Sequence, residues 1–150
     1  MNVVITILTV DVNMKRPEPS RLEMQVLSVL WKHGPCTVRE VLGAMPDGKA
    51  RAYTTILSVM QVMERKGLVS HVARGKAHVY ASCMSRAKAT GPLLRNLVKH
   101  VFGGSALAAL QQFLSEAAVD RKELKEMRNL IADYERAQAG RVASRRRDIP

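Results

Sequence analysis

Along the first half of the chain, apolar residues recur at helical spacing and then give way to loose alternation. Leu22, Val26, Val29 and Leu30 fall on one helical face, and Met24, Leu27 and Trp31 on another. This predicts a helix from about Arg21 to Lys32 that is covered on two sides. Val38, Val41, Leu42 and Met45 predict a short second helix that stops before the turn sequence Pro46-Asp47-Gly48. A third, from about Ala52 to Lys66, turns Ile56, Val59, Met60 and Met63 inward, and Thr54, Ser58, Gln61 and Arg65 lie on its opposite face. Beyond Gly67, the runs Leu68–Ala73 and Ala77–Ala81 alternate as strands, joined through Arg74-Gly75-Lys76. That order of elements is the layout of a winged helix, with the third helix as the one that enters a DNA groove.

Element boundaries are well marked. Ser20-Arg21-Leu22-Glu23 and Thr37-Val38-Arg39-Glu40 both match the capping box, in which hydroxyl and carboxylate satisfy free amides of the first turn. Gly67 suits the position just past a helix, where a left-handed conformation is needed. In the second half, Gly91-Pro92 predicts a helix opening at Leu93, followed by Leu94, Leu97, Val98 and Val101. Gly103-Gly104 breaks it, and Ser105 caps a further helix carrying Leu107, Leu110, Phe113 and Leu114. Asp120 precedes a last helix whose Leu124, Met127, Ile131 and Tyr134 are spaced like a coiled-coil seam.

Three apolar helix faces beyond a complete winged helix need cover. They can fold back on their own chain, but a symmetric dimer is the simpler solution because it also supplies two recognition helices for two half-sites. Dimer contacts are expected at Leu97, Val101, Leu107, Leu110, Leu114, Leu124, Met127, Ile131 and Tyr134. The expected class is mainly α with a small β-hairpin wing. The expected organisation is a disordered extension over 1–19, with Met14 as an alternative start, a winged-helix DNA-binding domain over 20–84, a helical dimerisation region over 85–138, and a basic tail over 139–150.

Composition narrows the partner. A formal charge of +11 and a pI near 10.3 point to a polyanion. No apolar run is long enough to span a membrane. Val3–Val10 is short, lacks a preceding positive region and runs into Asp11 and Asn13, so neither membrane insertion nor a signal peptide is expected. Two cysteines, Cys36 and Cys83, make no disulfide framework and fit a reducing cytoplasm. His71 and His78 lack companions at zinc-site spacing, and no metal or cofactor is expected. Glu23, Glu40 and Glu64 read as cap or surface carboxylates, no glycine-rich phosphate loop is present, and the chain does not read as an enzyme.

An exposed polar helix face is by itself an ordinary solvated surface. The cationic hairpin that follows is what turns it toward DNA. Arginine can fork onto guanine, glutamine onto adenine, and hydroxyls can reach phosphate oxygens. The DNA-binding set expected on these grounds is Arg51, Thr54, Thr55, Ser58, Gln61 and Arg65, with Arg74 and Lys76 of the wing on the phosphate backbone. The alternative is a non-catalytic architectural or general nucleic-acid-binding protein built on the same winged helix. A sharp preference for one palindrome would distinguish the two.

Leu22-Glu23 leading to Val29-Leu30-Trp31, then Thr37-Val38-Arg39-Glu40-Val41, Tyr53-Thr54-Thr55-Ile56, Glu64-Arg65-Lys66-Gly67-Leu68-Val69 and Val101-Phe102-Gly103-Gly104-Ser105 form an ordered set of segments. Together they resemble the penicillinase repressor (BlaI/MecI) family of bacterial transcriptional regulators. With Glu123-Leu124 the likeness covers roughly residues 20–135. The resemblance implies a cytoplasmic homodimeric repressor on a palindromic double-stranded DNA operator, controlling β-lactam resistance or stress genes. It also implies release through cleavage driven by a membrane-bound zinc metallopeptidase sensor. The position similar to the scissile bond is Gln112-Phe113, where the family often has asparagine in place of Gln112. Val62 stands where relatives often have arginine. The paired cysteines of copper-responsive relatives have no counterpart after Cys83.

Overall fold

A computed structural model describes residues 18–147 of the chain, so most of the expected N-terminal extension lies outside the described residues. The elements are α1 (Arg21–His33), β1 (Cys36–Thr37), α2 (Val38–Gly43), α3 (Tyr53–Arg65), β2 (Val69–Arg74), β3 (Ala77–Ser82), α4 (Arg86–His100), α5 (Ala106–Glu116) and α6 (Arg121–Arg147). Two compact units divide the chain between Arg95 and Asn96, inside α4 rather than at the expected boundary after residue 84.

In the first unit, both capping boxes form. The Ser20 amide donates to Glu23 Oε2 at 2.7 Å and the Glu23 amide to Ser20 Oγ at 3.3 Å; Thr37 and Glu40 repeat the exchange at 2.7 and 3.3 Å. Two first-turn donors that would otherwise be orphaned are thereby satisfied at each helix. The end of α3 is equally definite. The Gly67 amide donates to the Glu64 carbonyl and the Leu68 amide to the Met63 carbonyl, both at 2.9 Å, with Gly67 at φ +72°. This is the Schellman arrangement, and Leu68 and Met63 are both fully buried beneath it.

The core lies where the three helices meet the sheet. Leu27 and Val26 of α1, Val41 of α2, Ile56 and Met60 of α3 and Tyr80 of β3 are all essentially inaccessible to solvent. The sheet is antiparallel in the order β1-β3-β2, with Cys36 opposite Tyr80 and Arg74 opposite Ala77. β1 was not expected, because two residues are too few to show alternation. The wing turn is Gly75-Lys76 alone, and Arg74 closes β2 rather than belonging to the turn. Gly75 has φ +62°, as a two-residue hairpin turn requires at its first position.

The expected start of α4 at Leu93 is corrected: the helix begins at Arg86 and contains Pro92. Ser85 caps it, with its hydroxyl accepting from the Lys88 amide at 3.2 Å and its carbonyl from the Ala89 amide at 3.1 Å. The first turn is also anchored. Ala89 is buried, the Trp31 indole donates to the Met84 carbonyl at 2.8 Å, and the Arg86 guanidinium lies 5.6 Å from the centre of the Trp31 ring. These contacts outweigh the roughly 3 kcal/mol that an interior proline costs by removing a donor and crowding the carbonyl four residues back.

The second unit holds helices with hardly any interior. No residue from 96 to 143 is buried. Val101 is 67% exposed, Leu107 66% and Tyr134 66%, while Leu124 and Met127 are half-buried. Gly103 and Gly104, at φ +57° and +84°, separate α4 from α5, and Ser105 caps α5 by accepting from the Ala108 amide at 3.0 Å. Asp120 caps α6 through the Glu123 amide at 2.8 Å. The expected basic tail from residue 139 is helical as far as Arg147, since α6 continues through Gly140. One glycine costs about 1 kcal/mol in a helix, and the alanine, glutamine and arginine around it are strong helix formers.

Candidate nucleic-acid interface

The outer face of α3 is built by what its inner face must bury. With Ile56, Met60 and Met63 turned into the core, helical geometry sends Thr54, Ser58, Gln61 and Arg65 outward, and all of them are exposed, as is Thr55. The Schellman end passes the chain directly into β2, so the wing follows α3 with only Lys66, Gly67 and Leu68 between them.

Between the start of α2, α3 and the wing lies an open cleft of about 680 Å³. It brings Gln61 together with Arg74 and Lys76, as expected, and adds Arg39, Tyr53 and His78, which sequence reasoning missed. Arg39 was named only within a capping box and a segment of the family resemblance, and Tyr53 only within such a segment. What places Arg39 in the cleft is the pairing of β1 with β3, which brings the first turn of α2 beside the wing, whereas Tyr53 enters from the first turn of α3. No carboxylate lines the cleft. Glu40 stands nearby, and its carboxyl is held below its ordinary pKa by the Thr37 amide and hydroxyl, with the Arg74 charge contributing.

Arg51 stands apart from the rest of the expected set. Its guanidinium forks onto Asp47, with Nη1 to Oδ1 at 2.7 Å, and only 15% of the side chain is exposed. Arg51 thus holds the loop leading into α3, and its hydrogen bonds keep the Asp47 carboxyl far below the usual range.

The other end of α3 is fastened by a pair that the sequence reading did not anticipate. Lys66, which closes the helix, places Nζ 2.8 and 3.0 Å from the two oxygens of Glu23. Glu23 is only 4% exposed. Burial pushes its carboxyl pKa up, but the bonds from Lys66 and Ser20 more than reverse this and leave it lowered. The base of the wing is tied similarly, with His71 Nδ1 2.6 Å from Glu64 Oε1 and the His71 ring stacked on His78 at 4.2 Å. Among the described residues, no group of three or more His, Cys, Asp or Glu could hold a metal ion.

In the second unit, Gln112 and Phe113 are exposed on α5, and the bond between them lies within the helix. The Gln112 side-chain Nε2 donates to Glu116 Oε1 at 3.0 Å, and the Phe113 carbonyl accepts from the Ala117 backbone amide at 2.9 Å. No described helix is long and apolar enough to cross a membrane.

The family model described as penicillinase repressor matches residues 19–133. The chain belongs to the penicillinase repressor family. The family is one of transcriptional repressors, not enzymes. The chain is similar to the transcriptional regulator BlaI of Mycobacterium tuberculosis, with 32% identity over 122 residues that cover 80% of this chain and 87% of that protein. It is also 20% identical over 120 residues to the penicillinase repressor of Bacillus licheniformis, covering 80% of this chain and 94% of that one. Among solved structures, it resembles the monomeric form of Bacillus licheniformis BlaI in complex with the blaP half-operator. That match has a TM-score of 0.42 and 26% identity, covering 49% of this chain and 90% of the other. In this penicillinase repressor family member, Val62 is half-buried at the edge of the exposed stripe, and α6 runs on beyond the end of the family match.

Proposed function

We propose that the chain represses transcription as a homodimer that sets two α3 helices into the half-sites of a palindromic operator. The observation that carries this is the exposed polar stripe of α3 beside a cleft lined by Arg39, Arg74 and Lys76 without an opposing carboxylate. Thr54, Thr55, Ser58, Gln61 and Arg65 read base edges and nearby phosphates, while the cations of the cleft neutralise the backbone. If all three cations of each protomer meet phosphates, the dimer releases about six counterions, and log K falls with log salt at a slope of about −5.

The dimer rests on the apolar faces of the second unit. Leu97, Val101, Leu107, Leu110, Leu114, Ile131 and Tyr134 are exposed in the single chain, and burying them against a second copy supplies the interior this unit lacks. Release follows cleavage at Gln112-Phe113 by a membrane-bound metallopeptidase sensor, which brings β-lactam resistance or stress genes under control. This part is carried by the family resemblance. Because the bond lies inside α5, the peptidase must unwind that helix to cut it.

The test is binding to DNA from the protein's own upstream region against random duplex at several salt concentrations. A preference on the order of 10³ or more for one palindromic site is the expected result. Equal and steeply salt-dependent binding to both duplexes would overturn it in favour of an architectural coat.

A further inference from the structure

The last part of α6 has no role in the function just described, and its chemistry differs from the rest of that helix. From Arg121 to Glu135 basic and acidic residues are interspersed; from Arg136 to Arg147 the sequence holds Arg136, Arg141, Arg145, Arg146 and Arg147 and no acid. Arg136 is already paired with Asp133. The apolar seam has also ended, since the only large aliphatic residue in this stretch is Val142, which is 56% exposed. The stretch also lies beyond the family match, which stops at residue 133.

We propose that this segment is a basic arm that binds the phosphate backbone of duplex DNA, adding affinity that is blind to sequence. The inference rests on the DNA-binding reading above. Three features select the partner. A packing role needs an apolar stripe, which the segment lacks. A membrane-surface helix needs an apolar face opposite its cations, and a lone Val142 does not make one. A duplex needs only closely spaced positive charge, and the arginines supply that from a helix about 40 Å long overall. Four arginines within the seven residues 141–147 of the sequence concentrate like charge, and a polyanion relieves their repulsion.

The experiment uses the full chain with R141Q, R145Q, R146Q and R147Q combined, because glutamine nearly matches arginine in helix propensity and leaves the seam untouched. Binding to an operator duplex and to a random duplex is measured between 50 and 200 mM salt. The arm predicts a salt slope shallower by about 2 to 4 per chain, from a factor of about 0.9 per lost phosphate contact. The loss at physiological salt should be about tenfold or more and equal on both duplexes, with the preference for the operator unchanged. The corresponding four lysine substitutions should restore the slope, which separates lost charge from a misfolded helix.

An unchanged slope would overturn the arm, and so would a loss confined to the operator. Loss of binding to phosphatidylserine vesicles with unaltered DNA slopes would overturn it in favour of a membrane surface. A wild-type chain without operator preference, whose slope the variant still flattens, would sink the repressor reading and keep the arm.

Discussion

Substituting Glu23 by glutamine should loosen the winged helix measurably, because one carboxylate joins the beginning of α1 to the end of α3. The carboxylate accepts from the Ser20 amide at 2.7 Å and from Lys66 Nζ at 2.8 and 3.0 Å, while being almost fully buried. Glutamine keeps the shape and one acceptor but leaves the ammonium facing a neutral amide. A hydrogen bond to a charged group contributes about 1.5–3 kcal/mol, and an exposed ion pair about 0–1 kcal/mol. The Lys66 side chain is 30% exposed and keeps part of its hydration, so the loss should lie between these limits, near 2 kcal/mol at neutral pH.

Trp31 is the only tryptophan, and its indole sits in the first unit, so its fluorescence during urea denaturation at fixed protein concentration reports this unit directly. The pH dependence gives a second check. The Glu23 carboxyl has a folded pKa lowered from an ordinary value of 4.5, so its contribution is present above that value and is lost as pH falls through the folded one. Wild type and variant should therefore converge in acid. A difference below about 0.5 kcal/mol at pH 7, or one that persists undiminished at pH 3, would refute the reasoning.

Arg65→Ala and Ser58→Ala should weaken operator preference by about 1–3 kcal/mol each, whereas Lys76→Ala should lower affinity alike on all duplexes and flatten the salt slope by about 1; equal losses on operator and random DNA for all three would refute that division. Ile131→Asp puts a charge into the proposed seam and should shift the chain to monomer in sedimentation, and an unchanged dimer would remove α6 from the interface. Pro92→Ala restores the missing donor to the Lys88 carbonyl and should stabilise α4 by about 1–3 kcal/mol, visible as slower amide exchange in that helix. Gly67→Ala forces a side chain into φ +72° and should cost about 1–2 kcal/mol in urea denaturation.

The features legible in the sequence were those set by neighbours along the chain. Both capping boxes, the glycine that ends α3, the Ser105 cap and the inward and outward faces of α3 depend on residues within a turn of one another, so the local pattern carries them. What was hidden depends on partners far apart in the chain. β1 exists only because β3 lies beside it, and Arg39 joins the cleft only through that pairing. Lys66 finds Glu23 at a separation of 43 positions along the chain. Pro92 misled for the same reason. Its local preference is for a helix start, but Ser85, Ala89 and Trp31 had already begun the helix upstream. Arg51 looked available because its partner, Asp47, lay in what read only as a turn.

The absence of any buried residue between 96 and 143 bears on how long a repressor molecule survives in the cell. In the proposed dimer, pairing is what gives these helices an interior, so a newly made chain that has not met a partner presents Val101, Leu107 and Tyr134 to every protease it encounters. Lifetime then rises with concentration. Scarce chains are destroyed before they pair, and abundant ones protect each other. Promoter silence should therefore set in over a narrow range of synthesis rates, a threshold that comes from turnover rather than from affinity for the operator.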